Sequence, residues 1–105
     1  MAQKKLWSQL SMVLSKEILN RITFAKGESI KVILDLHGLS VNQARKVLNN
    51  VINITSRVAG CLLVVVHGFH HGTKIKDMLV NFPNPHVSGS TPSKTNAGVT
   101  YLTIT

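Results

Sequence analysis

Residues 30–38 read Ile-Lys-Val-Ile-Leu-Asp-Leu-His-Gly, and residues 61–68 read Cys-Leu-Leu-Val-Val-Val-His-Gly. Both are short apolar runs rich in β-branched residues, which is typical of strands, and both end in the dipeptide His-Gly. The second run is apolar at every position up to Val66, which favours a central parallel strand covered on both faces or edges.

A helical pattern lies between the two runs. Ser40 and Gln43 predict a capping box at its start, and Gly60 is a natural stop at its end. Its apolar face comprises Val41, Ala44, Val47, Leu48, Val51, Ile54 and Val58. Strand, helix and strand in this order predict a parallel pair joined by a right-handed crossover.

The flanking segments complete an α/β domain. On the N-terminal side, residues 5–24 predict one amphipathic helix that packs on the domain or on a partner, because Trp7, Leu10, Leu14, Ile18 and Ile22 form a helical stripe. Beyond the second run we predict a helix at about 73–82, a short strand at 86–88, a polar loop at 88–98 and a closing strand at 99–105. The order is a helix followed by βαβαββ, with a mixed four-stranded sheet whose last two strands are antiparallel. We assign 1–27 to an N-terminal helical extension and 28–105 to the domain.

The charge balance indicates a phosphate-rich partner. The chain has 105 residues, with twelve Lys and Arg against four Asp and Glu, a net charge of +8. Such a protein favours nucleic acid or an anionic membrane, although charge does not separate a binder from an enzyme. The longest apolar run has six residues, against about 20 needed to span a bilayer, so we predict no membrane partner. The single cysteine, Cys61, excludes an intrachain disulfide, and we expect a cytoplasmic protein.

The two His-Gly corners are the candidate site. In a mostly parallel sheet both fall at the same carboxyl edge, where open α/β sheets bind ligands, and each precedes a helix N-terminus. Asp35 and His37 are two positions apart and share a face of the strand. A neutral histidine could deprotonate an attacking hydroxyl or water, and the carboxylate could orient it or hold Mg²⁺ or Mn²⁺. The alternative is that both side chains only tie down the turn through hydrogen bonds.

A dedicated metal site is not predicted. His67, His70 and His71 could bind zinc or nickel with His86, but no cysteine or clustered acid completes such a set. Gly72-Thr73 could cradle a phosphate with Lys74 and Lys76 nearby, although the loop lacks both the Walker and the dinucleotide-binding spacing.

Taken together, these motifs resemble the Smr domain, the small MutS-related family, over about residues 30–105. Leu-Asp-Leu-His-Gly at 34–38, followed by Leu39-Ser40, resembles its LDLHG motif, and Val66-His67-Gly68 resembles its HGxG motif. Ile75-Lys76 falls where the family often has Leu-Arg, and residues 98–101 resemble its closing glycine-led strand.

The resemblance implies a stand-alone small Smr protein: a two-layer α/β sandwich that binds DNA or RNA, with endonuclease activity in several members. Asp35 and His37 match the positions usually assigned to catalysis. The predicted nucleic-acid-binding residues are Gly38, His67, Gly68, Phe69, His70, Gly72, Thr73, Lys74, Lys76 and Lys94. His70 replaces the second glycine of HGxG, and Lys76 replaces an arginine whose planar fork would stabilise a phosphorane-like transition state.

Three alternative functions therefore remain open. The first is phosphodiester cleavage, either nicking of DNA or cleavage of RNA. The second is a non-catalytic DNA- or RNA-binding module that uses Arg45, Lys74, Lys76, Lys94 and the corner amides. The third is a homodimer formed through the N-terminal helix. Because the aromatic residues are scattered along the sequence, we predict no stacking platform for single strands, and only Phe69 is a candidate for base contact.

Overall fold

A computed structural model describes residues 2–25, 30–58, 60–68 and 73–105, with side chains from residue 4 onward. Helices and strands are interspersed along the chain, as expected for a mixed α/β fold. In chain order they are α1 (Ala2–Val13), α2 (Lys16–Leu19), β1 (Ile22–Ala25), β2 (Lys31–Asp35), α3 (Val41–Thr55), β3 (Leu62–Val66), α4 (Lys74–Val80), β4 (Val87–Pro92) and β5 (Val99–Ile104). None of the helices in the described ranges has the length and apolar character needed to cross a bilayer.

The strands form one mixed sheet in the order β1-β2-β3-β5-β4. β2 and β3 are parallel, and α3 connects them, so the predicted crossover pair is confirmed. β4 and β5 are antiparallel, as expected for the last two strands. The predicted four-stranded sheet is wrong, because the described part of the chain contributes a fifth strand, β1, antiparallel to β2.

β1 comes from the segment predicted to be one long helix. The helix over 5–24 is wrong beyond Val13: Ser15 caps the four-residue α2, and Ile22–Ala25 then pairs with Lys31–Leu34. Apolar residues four apart at Ile18 and Ile22 suit a helix. However, Ile-Thr-Phe at 22–24 also has strand propensity, and pairing satisfies backbone groups along β2 that would otherwise form an unprotected sheet edge. The sheet thus takes its first strand from residues 1–27.

The helices share one core on one face of the sheet. Buried side chains alternate along the strands, for example Val32 and Leu34 on β2, and join those of α3 and α4. Leu6 and Leu10 of α1 are also buried, so this helix packs on the domain's own core. β3 is central and paired along both edges, with β2 and β5, as predicted. Of its two faces only one is covered: Leu63 and Val65 are buried, whereas Leu62 and Val64 are half-buried on the other face.

The remaining boundaries differ from expectation by a few residues. α3 has the predicted capping box, with hydrogen bonds of 3.1 Å in both directions between Ser40 and Gln43, but it ends at Thr55 rather than 58. The short strand predicted at 86–88 is longer, because β4 continues to Pro92 along its antiparallel partner β5.

Candidate functional site

The two His-Gly corners lie side by side at the carboxyl edge of the sheet. Asp35 of β2 is in register with Val66 of β3, and the amide of Leu36 donates to the carbonyl of Val66 at 2.8 Å. Both corner glycines have positive φ, 80° at Gly38 and 75° at Gly68, which permits the sharp turns. A Cβ atom placed on Gly68 would lie 3.4 Å from the Cβ of His37. The sequence-predicted juxtaposition is therefore present.

Asp35 and His37 form a hydrogen-bonded pair at this edge. Nδ1 of His37 lies 2.5 Å from Oδ1 of Asp35, and the same oxygen accepts from the His37 backbone amide at 3.1 Å. The His37 side chain is 62% exposed and that of Asp35 is 37% exposed. Water or a substrate can thus reach the imidazole while the carboxylate holds it in one orientation.

This geometry sets the chemistry available to His37. Ionised Asp35 can only accept a hydrogen bond, so Nδ1 of His37 carries the proton between them. In the neutral ring, Nε2 then has a free lone pair that can accept a proton. A carboxylate in this position also stabilises the imidazolium that forms, as in catalytic triads. The pair therefore has the geometry that a general base oriented by a carboxylate requires.

His67 has a different environment from His37 and a different role. It is buried, with Nδ1 2.9 Å from the carbonyl oxygen of Gly68 and Nε2 2.9 Å from the hydroxyl of Thr100. Because a carbonyl only accepts, Nδ1 donates to it, and Nε2 of the neutral ring accepts the proton of Thr100. Both nitrogens are thus engaged within the fold. His67 therefore supports the second corner from within the fold, and its contact with nucleic acid stays a prediction.

Arg21 belongs to the site, and the sequence analysis missed it. Its Nη1 atom donates to the carbonyls of His37 at 2.9 Å and Asp35 at 3.3 Å, and its own carbonyl accepts from the amide of Asp35 at 2.9 Å. The guanidinium therefore stabilises the first corner by hydrogen bonds. It also adds a positive charge beside the hydrogen-bonded pair of Asp35 and His37, called the dyad below. The only local signal was the strand propensity of Ile22 and Thr23, which follow it.

A third chain segment supports the second corner. The amides of His67 and Gly68 both donate to the carbonyl of Gly98, at 2.9 and 3.1 Å. Gly98 ends the connection between β4 and β5, and this connection carries the exposed Lys94. Because Val99 pairs with Val66, the connection lies at the same edge as the corners. The predicted placement of Lys94 near the site is consistent with this topology.

α4 follows the second corner in the chain, after residues that lie outside the described part of the structure. Lys74 is exposed and Lys76 half-buried in its first turn. The hydroxyl of Thr73 donates to Oδ2 of Asp77 at 2.9 Å, so it is engaged by its own helix rather than held ready for a phosphate. The remaining predicted site residues, Phe69, His70 and Gly72, lie outside the described residues, as does His71.

The side chains around the dyad do not fit a divalent-cation cage. Within the described ranges, no group of three or more His, Cys, Asp and Glu residues could surround a metal ion. Asp35 is the one carboxylate at the two corners, and one of its oxygens already accepts from His37 twice. Asp35 would therefore offer a cation at most its second oxygen, and we derive no step through a metal.

Comparisons with known proteins leave the function to be argued from this geometry. No family model matches the chain, and no curated protein matches it significantly.

Proposed function

We propose that the protein binds nucleic acid and cleaves its phosphodiester bonds, with His37 as general base and Asp35 as the carboxylate that orients it. The observation that carries this proposal is the exposed His37 ring held through Nδ1 by Asp35, which leaves Nε2 toward solvent. The resemblance of the two His-Gly corners to the Smr domain, a two-layer α/β sandwich, supports the same assignment.

The step uses groups at the corner only. Nε2 of His37 accepts the proton of the attacking hydroxyl, whose oxygen forms a bond to phosphorus. The bond from phosphorus to the leaving oxygen breaks, that oxygen takes a proton from solvent, and the imidazolium returns its proton to solvent. An attacking water yields a phosphomonoester, whereas the 2′-hydroxyl of RNA yields a cyclic phosphate.

Positive charge around the corner supports a polyanionic substrate. Arg21 contacts the corner directly, Lys94 lies in the connection that ends beside Val66, and Lys74 begins the helix that follows β3 in the chain. The net charge of +8 reinforces this local arrangement. Contacts of this kind hold the phosphate backbone and carry no base preference, so binding should weaken steeply with salt.

A second candidate is a binding module without catalysis, and one observation favours it. Oδ1 of Asp35 also accepts from the His37 amide at 3.1 Å, a turn-stabilising contact that aspartate often makes without any catalytic role. In this alternative the dyad shapes the corner, and the cations provide the affinity.

The deciding experiment measures cleavage and binding on the same labelled single- and double-stranded DNA and RNA. It compares the unsubstituted chain with His37→Ala and Asp35→Asn, each with Mg²⁺, Mn²⁺ or EDTA. Asparagine keeps an oxygen that can accept from the His37 amide, so the turn is retained while the charge is lost. His86→Ala is the matched control, because His86 precedes β4 at the opposite edge of the sheet.

Cleavage lost in His37→Ala and Asp35→Asn but kept in His86→Ala, with nucleic-acid binding retained throughout, would establish the dyad. Product analysis then distinguishes a phosphomonoester from a cyclic phosphate. No cleavage by the unsubstituted chain on any substrate, together with salt-sensitive binding that all variants share, would replace the proposal with the binding module.

A further inference from the structure

One face of the sheet has no helix on it among the described residues, and this face leads to the catalytic corner. Because side chains alternate along β2, Asp35 projects on the side opposite to the buried Leu34 and Leu36. Cross-strand register places Asp35, Val66 and Val99 in one row across β2, β3 and β5, and Arg21, the residue before β1, continues the row because its carbonyl accepts the amide of Asp35. The dyad is therefore the end of an open surface rather than an isolated turn.

The next row along the strands is apolar at its centre. Register aligns Thr23, Ile33, Val64, Tyr101 and Thr91, one residue from each of the five strands. The central three are half-buried by their neighbours within the sheet, and the two threonines at the ends are exposed. Tyr101 and Asp35 have Cα atoms about 12 Å apart, from two strand spacings and a two-residue step.

The charges on this face suit a phosphate backbone. Arg21 lies at its catalytic end, and Lys31 is exposed on the same face, about 13 Å away along β2 from Asp35. Within the described strands, Asp35 is the one carboxylate on the face, and His37 engages it. A surface with apolar side chains at its centre and cations at its margin fits a ligand that has flat apolar rings on an anionic chain.

From this arrangement we propose that the open sheet face binds the unpaired bases of a single strand, with one base stacked on Tyr101 and its neighbours on Ile33 and Val64. The inference rests on the proposed function, since it extends the substrate from the corner onto the sheet. Sheets of comparable size in RNA-binding modules hold two or three bases in this way. A duplex keeps its bases stacked inside and cannot present them to a flat sheet, so the face selects single strands.

The test measures binding by the full chain carrying His37→Ala, in which cleavage is disabled. Binding to the sheet face can then be judged whether or not the proposed cleavage occurs in the unsubstituted chain. The probes are a single-stranded RNA and a DNA of the same sequence, about eight nucleotides long, their abasic counterparts and the matched duplexes. Tyr101→Leu removes the ring but keeps an apolar side chain on the face, whereas Tyr101→Phe keeps the ring. Thermal unfolding of each variant establishes that it is folded.

We expect Tyr101→Leu to weaken binding of the intact single strand about tenfold and to leave the abasic strand unaffected. Tyr101→Phe should bind as the parent does, and duplexes should bind no better than abasic strands. Equal binding of intact and abasic strands, or equal loss in the Leu and Phe variants, would overturn the proposal. So would a homodimer in light scattering that Tyr101→Leu dissociates, since a second copy would then occupy the face.

Discussion

Nη1 of Arg21 donates a hydrogen bond to the carbonyl oxygen of His37 at 2.9 Å, although sixteen positions separate the two residues in sequence. The contact exists because β1 pairs with β2 and brings the residue before β1 to the end of β2. An edge strand drawn from the N-terminal segment thus positions the candidate general base. This link gives residues 1–25 a part in the site as well as in the core.

Replacing Arg21 should separate positioning from charge. Arg21→Lys keeps the positive charge but replaces the rigid guanidinium, whose Nη1 atom donates to the carbonyls of both Asp35 and His37, by a flexible ammonium. We expect nucleic-acid affinity close to that of the unsubstituted chain and turnover reduced about 100-fold, because small displacements of a catalytic group are costly. Steady-state cleavage kinetics measure the turnover, and fluorescence anisotropy of a labelled nucleic acid measures the affinity. Lys16→Ala, an exposed cation on α2, is the charge control, and equal turnover in both variants would remove Arg21 from the positioning role.

The hydroxyl of Thr100 should be needed for stability through His67. Thr100→Val keeps the shape of the side chain but leaves Nε2 of the buried imidazole without its donor at 2.9 Å. An unsatisfied buried polar group costs about 1–3 kcal/mol, which urea unfolding would detect. Thr55→Val is the matched substitution. The carbonyls of Val51 and Ile52 lose the Thr55 hydroxyl but still accept helical amides, and the Cys61 thiol that Thr55 contacts is only a weak hydrogen-bonding group. We expect it to cost under about 1 kcal/mol, and equal costs would contradict the role of His67.

Local signals predicted the central part of the fold. The capping box of Ser40 and Gln43, the crossover helix and the parallel strands agree with one another over residues 31–66, so propensity and pattern led to the observed structure. They also predicted that the His37 and His67 corners would lie together, because parallel strands end at one edge. The structure of a segment can be predicted from its sequence when capping signals, intrinsic propensity and hydrophobic pattern all favour the same element.

The sequence did not predict the features that depend on contacts between residues far apart in the chain. Ile22 satisfied the helical spacing, yet pairing with Leu34 on β2 makes it a strand residue. The apolar run of β3 predicted a strand covered on both faces or edges without deciding between them. Both of its edges are paired, whereas the described helices cover only the face of Leu63 and Val65. Arg21 was missed because its acceptors are backbone carbonyls, and these give no signal in a sequence.

Gly38 should be sensitive to any side chain because of its backbone conformation alone. Its φ is 80°, and a Cβ atom there would meet nothing within 4 Å. Gly38→Ala should therefore lower the free energy of unfolding by about 1–2 kcal/mol through left-handed strain, with no steric clash. Gly89→Ala in β4 is the control, since the nearest atom to a Cβ there is 3.7 Å away. A Gly38→Ala variant as stable as the control would contradict this account of the corner.

Cys61 should make the stability depend on alkaline pH. Burial raises the pKa of its thiol above the ordinary value of 9.0, and a hydrogen bond from Thr55 offsets only part of that rise. In the unfolded chain the thiol ionises near pH 9, whereas in the folded protein it is still neutral at that pH. Below pH 9 the thiol is neutral in both states, so the contribution of the buried thiol to the free energy of unfolding is complete there. It is then lost as the pH rises toward the folded pKa. The free energy of unfolding, measured from pH 7 to 10.5, should fall more steeply for the unsubstituted chain than for Cys61→Val. Because valine cannot ionise, parallel curves would show that the thiol titrates alike in both states.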